Sequence, residues 1–577
     1  MLANLASLRS LLRPGERPLP ALWAGRLPTP LAIVLAFAAF IGPLLLTASI
    51  AQDTSAPVWG VLVADLVALF VFLLLTWQRP VLFFGLLVLW FALQRILVAA
   101  LAPDVSGDMV RWLLVYKEGF YVVLVAAGAF LLAARWLTGR RELTLVLAAD
   151  LLALAFLATL AVAFLVSSAD FTPRLTYLRR FAAPALLYLG ARLLVQDRQQ
   201  VMEALRLTMA VVVAVALFGL VERFLLGASF WQDGVDATAF YQRQIDAGLI
   251  PPGWLFVYRG LPDGIFIALP LEVPVRRLVS TFLEPTTLGA FLAFGLLLLL
   301  LAPPRGRWRP PARIAALLVA LALVATLSRG GMLVVVAAVG FFGLVRLLES
   351  RQRFPWRDYL PLLPVLAVLG AGLVLTTFSF SQAPDVKDRL QDVLEMRAVS
   401  GFDNVRPVSA APASDQPADP NAHPPGSTAA GAQRHLSGLT SGLDALRDDP
   451  LGSGLGTTGN WSETPGQGGE SMIGALASQL GIFGFVFWLG FVLAAIAALV
   501  RASLLQRAAG ALARADLLLL LAAALFGLMA TSWVSESASG LLGNAAYFTF
   551  AGWAIAIETP LLKSLRFAWL PAAPASD

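Results

Sequence analysis

The feature that most constrains this chain is a recurrence of unbroken apolar stretches, each about 20 residues long. A helix rises about 1.5 Å per residue, so a stretch of that length just crosses the hydrocarbon core of a bilayer. In lipid, backbone N–H and C=O groups must be satisfied within the protein, and serial apolar runs do this as α-helices. Roughly fourteen spans can be read, near residues 29–50, 57–77, 80–101, 117–136, 143–166, 177–195, 204–226, 281–302, 311–327, 330–347, 358–377, 471–500, 515–533 and 539–558. The expected fold is therefore all-α, a polytopic integral membrane protein. Composition agrees, since 58% of the 577 residues are hydrophobic and only 14% charged, against about 25% charged in a soluble domain. The first apolar run, at 31–50, is too long for a cleavable signal peptide and lacks a processing site. Cysteine is absent, which excludes disulfides and thiol chemistry.

The formal charge of +6 does not point to nucleic acid, because the arginines sit in short loops and have a topological reading. Arg9, Arg13, Arg17 and Arg26 precede the first span, and Arg135, Arg140 and Arg141 share one loop. Further clusters are "PPRGRWRPPAR", "RLLESRQRFPWRD" and the loop with Arg501, Arg507 and Arg514. The positive-inside rule places these, with both termini, in the cytoplasm. Two long loops then face outwards, and the chain divides into N-terminal spans (1–226), a first outer loop (227–280), central spans (281–377), a second outer loop (378–470) and C-terminal spans (471–577). The second loop contains a Pro-, Ala- and polar-rich stretch, about 408–430, expected to be a flexible insert. Arg174, Arg179 and Arg180 run against the rule, at the outer end of the sixth span.

Asp65 and Arg95 fall inside the second and third spans at nearly equal depth from the turn near Arg79. An ion inside a membrane is a functional candidate by default, but a structural pair fixing two helices is the simpler reading. A proton-coupled transporter would also use such a pair, although the other spans lack the acidic chain of a proton relay.

Four outward segments carry polar residues out of proportion to their surroundings: "RRLVSTFLEPTTLGAFL" (276–292), "TLSRGGML" (326–333), "RHLSGLTSGLDALRDDPLGSGLG" (434–456) and "ESMIGALASQLGIFG" (470–484). Taken singly, Arg277 and Arg329 read equally well as interfacial anchors, and Arg434 as a solvated loop residue. Glu470 reads as a helix-start carboxylate complementing the dipole, and so does Glu284. His423 and His435 are the only histidines, and the first falls in the insert. The glycines at 452–456 do not make a nucleotide loop, because no strand precedes them.

Together and in this order, the four segments resemble the O-antigen ligase and Wzy-type polymerase superfamily. The first is similar to the family's R-x-x-G-T-F-x-x-P-N-x-x-A/G, with Ser280 in the glycine place and Thr286 in the asparagine place. The second resembles T-x-S-R-G. The third resembles R-x-x-x-W-x-x-A-L…P-x-x-G-x-G-x-G without the tryptophan. The last resembles H/E-N/S-x-x-L…E-x-G-x-x-G, with Gln479 in the second acidic place. The likeness covers roughly 276–500 and implies a GT-C-like membrane glycosyltransferase in the bacterial inner membrane, its site facing the periplasm. The implied donor is an undecaprenyl-diphosphate-linked glycan, and the implied acceptor is another glycan or lipid A–core. No cofactor, catalytic metal or nucleic-acid partner is implied, and other polysaccharide-assembly proteins are possible partners. Arginine's planar fork suits a diphosphate leaving group, so Arg329, Arg434 and then Arg277 are the expected phosphate ligands, with Arg179 and Arg180 as further candidates. A sugar hydroxyl needs a base, and Glu470 stands where the family's ligases carry histidine; His435 and Glu284 are secondary candidates. That difference favours a polymerase over a ligase. A transporter or flippase of lipid-linked glycan, gated by Asp65 and Arg95, is the alternative from another class.

Overall fold

A computed structural model of the chain describes residues 67, 71, 80–115, 147–194, 198–226, 230–247, 266–268, 274–301, 309–349, 363–378, 439–458, 471–533 and 541–567. Within them the chain forms helices and one small hairpin. In order these are α1 (Pro80–Leu101), α2 (Gly107–Val115), α3 (Ala148–Val166), α4 (Phe171–Leu193), α5 (Arg198–Val221) and α6 (Ala237–Asp246). The strands β1 (Phe266–Ala268) and β2 (Pro274–Arg276) pair antiparallel, with Ile267 opposite Val275. Then come α7 (Pro285–Leu301), α8 (Arg309–Ala325), α9 (Arg329–Glu349), α10 (Leu363–Phe378) and α11 (439–448). The last three are α12 (Met472–Ala508), α13 (Leu512–Ser532) and α14 (Leu541–Phe567).

The expected spans at 29–50 and 117–136, and nearly all of 57–77, lie outside the described residues. A helix occupies each of the others. Seven of the described helices are long and apolar enough to cross a membrane, against the fourteen expected for the whole chain; α7, α8 and α10 are apolar but shorter. The α4 helix is of another kind. Its first turns carry Arg174, Arg179 and Arg180, and from Phe181 to Leu193 almost every residue is buried. It is a central post and not a lipid-facing span. By contrast, Leu151, Leu154, Val162 and Leu165 of α3 are exposed, an apolar stripe suited to lipid.

Specific contacts fix which helix ends lie together. Gly527 of α13 lies against the Val334 carbonyl of α9, while Asp516 at the other end of α13 stands 3.9 Å from Arg346. Phe485 of α12 meets Trp533 edge-on at 6.4 Å, and Ser503 Oγ donates to the Ala515 carbonyl at 2.7 Å. Both α9 and α12 therefore run antiparallel to α13, and their N-terminal ends share one end of the bundle. The start of α7 joins them, since Gly289 packs against Ser328.

The opposite end is tied by ions. Arg507 bridges Glu349 (3.1 Å) and Asp516 (2.5 Å), and Arg514 pairs with Glu558, which also accepts from Gln506 at 2.7 Å. Deeper in the same region, Arg192 grips Asp150 with two nitrogens, at 3.0 and 2.8 Å, and both side chains are wholly buried. Tyr188 donates to the same carboxylate at 3.0 Å, and Arg192 also reaches Thr559 at 2.7 Å. Arg346, Arg507 and Arg514, grouped on one side by the positive-inside rule, thus meet at one end.

Candidate functional site at two helix breaks

At the other end, two helices break, and each break is filled by another part of the chain. The first lies between α8 and α9. A helix leaves its last carbonyls without partners, and here the segment after β2 supplies them. The Leu278 N–H donates to the Ala325 carbonyl at 2.9 Å, and Arg277 Nε to the Thr326 carbonyl at 2.8 Å. Leu327 turns the chain with φ 51°, and Ser328 then caps α9, its Oγ accepting from the Gly331 N–H at 3.2 Å. Arg329 is therefore the first residue of α9, beside Arg277. The two charges feel each other: burial first, and then the Arg329 guanidinium, push Arg277 down to about 10, against a smaller opposing pull from Glu284. A Cβ on Gly331 would come 2.7 Å from the Gly289 carbonyl carbon, so the α7–α9 crossing that holds Arg329 in place requires glycine.

Between Arg277 and α7 the backbone is strained. Ser280 has φ 47° and Leu283 φ 52°, conformations that cost side-chain-bearing residues free energy and collect at functional sites. Tyr241 of α6 donates to the Leu283 carbonyl, and Pro285 opens α7 at its first position, where no N–H is needed. Glu284, just ahead of α7, takes the Arg95 guanidinium at 2.5 Å, and Arg95 also donates to the Phe282 carbonyl at 3.2 Å. Burial alone would raise the Glu284 carboxyl; Arg95 first, then hydrogen bonds from Thr287, Thr286 and Arg95, outweigh it and hold the group at about 2. A carboxyl held so low is a weak proton acceptor, and Glu284 acts there as the anchor of Arg95.

The second break lies within α12. Gly481 has φ 62° and ψ −159°, which ends one short helix and starts the long span. The carbonyls freed by the break, those of Ser478 and Gln479, accept from the Ser453 and Gly454 N–H groups, both at 3.0 Å. The Gln479 side chain completes the dock, accepting from the Gly456 N–H at 2.9 Å and donating to the Thr458 carbonyl at 2.6 Å. Glycine is needed on both surfaces: a Cβ on Gly481 would stand 2.3 Å from the Pro450 carbonyl oxygen, and one on Gly452 would stand 2.4 Å from the Gly481 nitrogen. Upstream, α11 lies on the start of α12, Gly442 facing Gly474. The N-cap of α12 is Ser471, whose Oγ accepts from the Gly474 N–H at 3.1 Å.

The structure thus brings Arg277, Arg329 and Glu284 together, and adds Arg95. That last residue was expected to pair with Asp65, which lies outside the described residues; its partner among them is Glu284. Glu470, Arg434, His435 and His423 also lie outside them. Arg174, one of three exceptions to the charge rule, has a local explanation. It donates to the Phe164 and Ser167 carbonyls (3.4 and 3.3 Å), caps α3 and rests on the Phe164 ring. Arg179 and Arg180 are half-buried about one and a half turns further along α4. Sequence reasoning missed Arg95 as a site residue, although its place near the end of a 22-residue helix put it at the level of the helix breaks and not at mid-membrane.

Residues 314–489 match the family model described as O-antigen ligase. The matched stretch runs from α8, through the Ser328–Arg329 break and the glycine loop, to the kinked start of α12. It supports the superfamily to which the four motifs point, and with it a role in surface-polysaccharide assembly of the O-antigen ligase or polymerase type. Members of this family are glycosyl-transferring enzymes. No curated protein matches the chain.

Proposed function

We propose that this protein polymerises undecaprenyl-diphosphate-linked glycan repeat units on the outer face of the bacterial inner membrane. The observation that carries the reading is the meeting of Arg277 and Arg329 at a helix break, close enough for one charge to depress the other. Two guanidiniums held side by side concentrate positive charge, and a diphosphate supplies charge and acceptor oxygens in a matching geometry. In the proposed step, an acceptor sugar hydroxyl attacks the anomeric carbon of the donor glycan. The carbon–oxygen bond to the diphosphate breaks, its electron pair leaves with undecaprenyl diphosphate, and the hydroxyl proton passes to Glu470. Arg329, Arg277 and Arg434 hold the diphosphate. Ser471 already caps α12, so the helix start does not require Glu470 in that role. The GT-C-like architecture, the fourteen spans and the periplasmic site belong to the same proposal.

A second reading, transfer of a finished glycan to lipid A–core or protein, is favoured by the matched family's description as a ligase. Glutamate at 470, where the ligases carry histidine, weighs against it. Substituting Arg329→Lys and Glu470→Gln in the native host separates the readings. A polymerase variant accumulates single repeat units on the carrier lipid, exposed outside. A ligase variant retains long chains on that lipid, and a flippase variant leaves units facing the cytoplasm. Wild-type chains from either variant, present at normal level, would refute the site.

A further inference from the structure

We infer that Glu222 is a positioning residue for the Arg277 segment, acting through the left-handed turn at Ser280; the catalytic consequence rests on the function proposed above. Glu222 is wholly buried where α5 winds out into a π-helical turn (Glu222–Leu226), a local irregularity that recurs at functional sites. Its carboxyl accepts from Trp231 Nε1 at 2.6 Å and from the Ser280 N–H at 3.4 Å. The same helix holds Ser280 from a second side, because Ser280 Oγ donates to the Val215 carbonyl at 2.9 Å. One turn on, Gly219 leaves room for Leu278, whose Cδ2 would lie 2.6 Å from a Cβ at that position. The end of α5 is therefore a template against which residues 278–280 are pressed. Ser280 takes φ 47° on it, a backbone state that glycine adopts freely and serine does not. Three residues before that turn stands Arg277, and four residues after it Glu284. The template thus governs how the Arg277 guanidinium and the Glu284–Arg95 pair face the break at Arg329. Serine in the family's glycine place makes this chain dependent on Glu222 for a turn that glycine would make unaided.

This dependence is testable by suppression. Glu222→Gln leaves one of the two donors without an acceptor. Polymer formed by the purified full-length protein from lipid-linked repeat units is expected to fall about tenfold, with a raised half-saturating donor concentration, because Arg277 holds the donor diphosphate; a mere loss of folded protein would lower the rate and leave half-saturation unchanged. Adding Ser280→Gly is expected to restore the rate to within about threefold of wild type, because glycine makes the turn without the template. Adding Ser280→Ala is not, since alanine carries the same left-handed penalty and lacks the hydroxyl. Thermal unfolding of the same proteins in detergent gives a second readout that needs no activity, and the glycine variant should recover melting temperature where alanine does not. If Glu222→Gln keeps wild-type rate and melting temperature, or if alanine rescues as well as glycine, the inference is overturned. If Arg277→Ala retains full activity, the functional reading fails, and the melting series alone still decides whether Glu222 shapes the turn.

Discussion

Replacing Arg277 with lysine should turn a pH-insensitive site into an alkaline-sensitive one. In the fold, burial and the neighbouring Arg329 charge bring Arg277 to about 10. An arginine that low is still fully charged at neutral pH and about 90% charged at pH 9. Lysine starts near 10.4, about two units lower, so the same surroundings would bring its amine to roughly 8. At pH 9 only about a tenth of such lysines carry charge, so the variant's rate relative to wild type should fall roughly tenfold between pH 7 and 9. The sign for stability is also defined. The charged form of Arg277 is disfavoured in the fold, so its charge costs stability at neutral pH, and that cost is relieved only as pH rises above about 10. Neutral Arg277→Gln removes that charge but also the Arg277 Nε hydrogen bond to the Thr326 carbonyl, so its melting temperature should change little while transfer activity is lost. The assay is polymer formation from lipid-linked repeat units between pH 7 and 9.5, reported as a variant-to-wild-type ratio so that common pH effects cancel. A ratio that stays flat across that range would refute the reasoning, because it would mean that no desolvated, like-charged site surrounds position 277.

Other outcomes follow from the same contacts. Gly481→Ala forces a side chain into a left-handed backbone and against the Pro450 carbonyl; it should cost at least about 1–2 kcal/mol and speed proteolysis within 450–458, whereas unchanged protection would mean that the loop is not docked on α12. Asp150→Asn leaves a buried guanidinium without its carboxylate and should cost about 3–5 kcal/mol, seen as reduced membrane levels with normal activity per folded molecule. Deleting part of 408–430 should leave polymer length and yield unchanged in the native host, and loss of product at normal protein level would give the insert a function.

The long apolar helices were legible because apolar length is a direct physical requirement of a bilayer; the short helices α2, α6 and α11 and the β1–β2 hairpin fall between the expected spans, where no such requirement acts. The motif arginines Arg277 and Arg329 were legible because cations at helix breaks stand out against apolar surroundings. Arg95 was not, because a charge inside a span was matched to the acidic residue at equal depth in the neighbouring span, and Glu284 lies far along the chain. The Asp150–Arg192 pair escaped because the two charges lie in different expected spans with nothing in sequence to match them, and they meet only when α3 and α4 are packed. Glu222 offered no sequence partner, since it accepts from the Trp231 indole and from the backbone of a turn whose strain appears only as serine in the glycine place of the resembled motif. Ser471 shows how fine the limit is, because sequence located the start of α12 but not which of two adjacent polar residues caps it.

The most direct measurement is turnover of a purified single repeat unit on undecaprenyl diphosphate by the full-length protein in lipid nanodiscs, wild type against Glu470→Gln. Wild type should yield a ladder of longer glycans and release undecaprenyl diphosphate, and Glu470→Gln should be slower by roughly 100-fold or more while still binding donor through its arginines. Ladders formed at equal rates by both proteins would contradict Glu470 as the base, and donor consumed only when lipid A–core is supplied would contradict polymerisation.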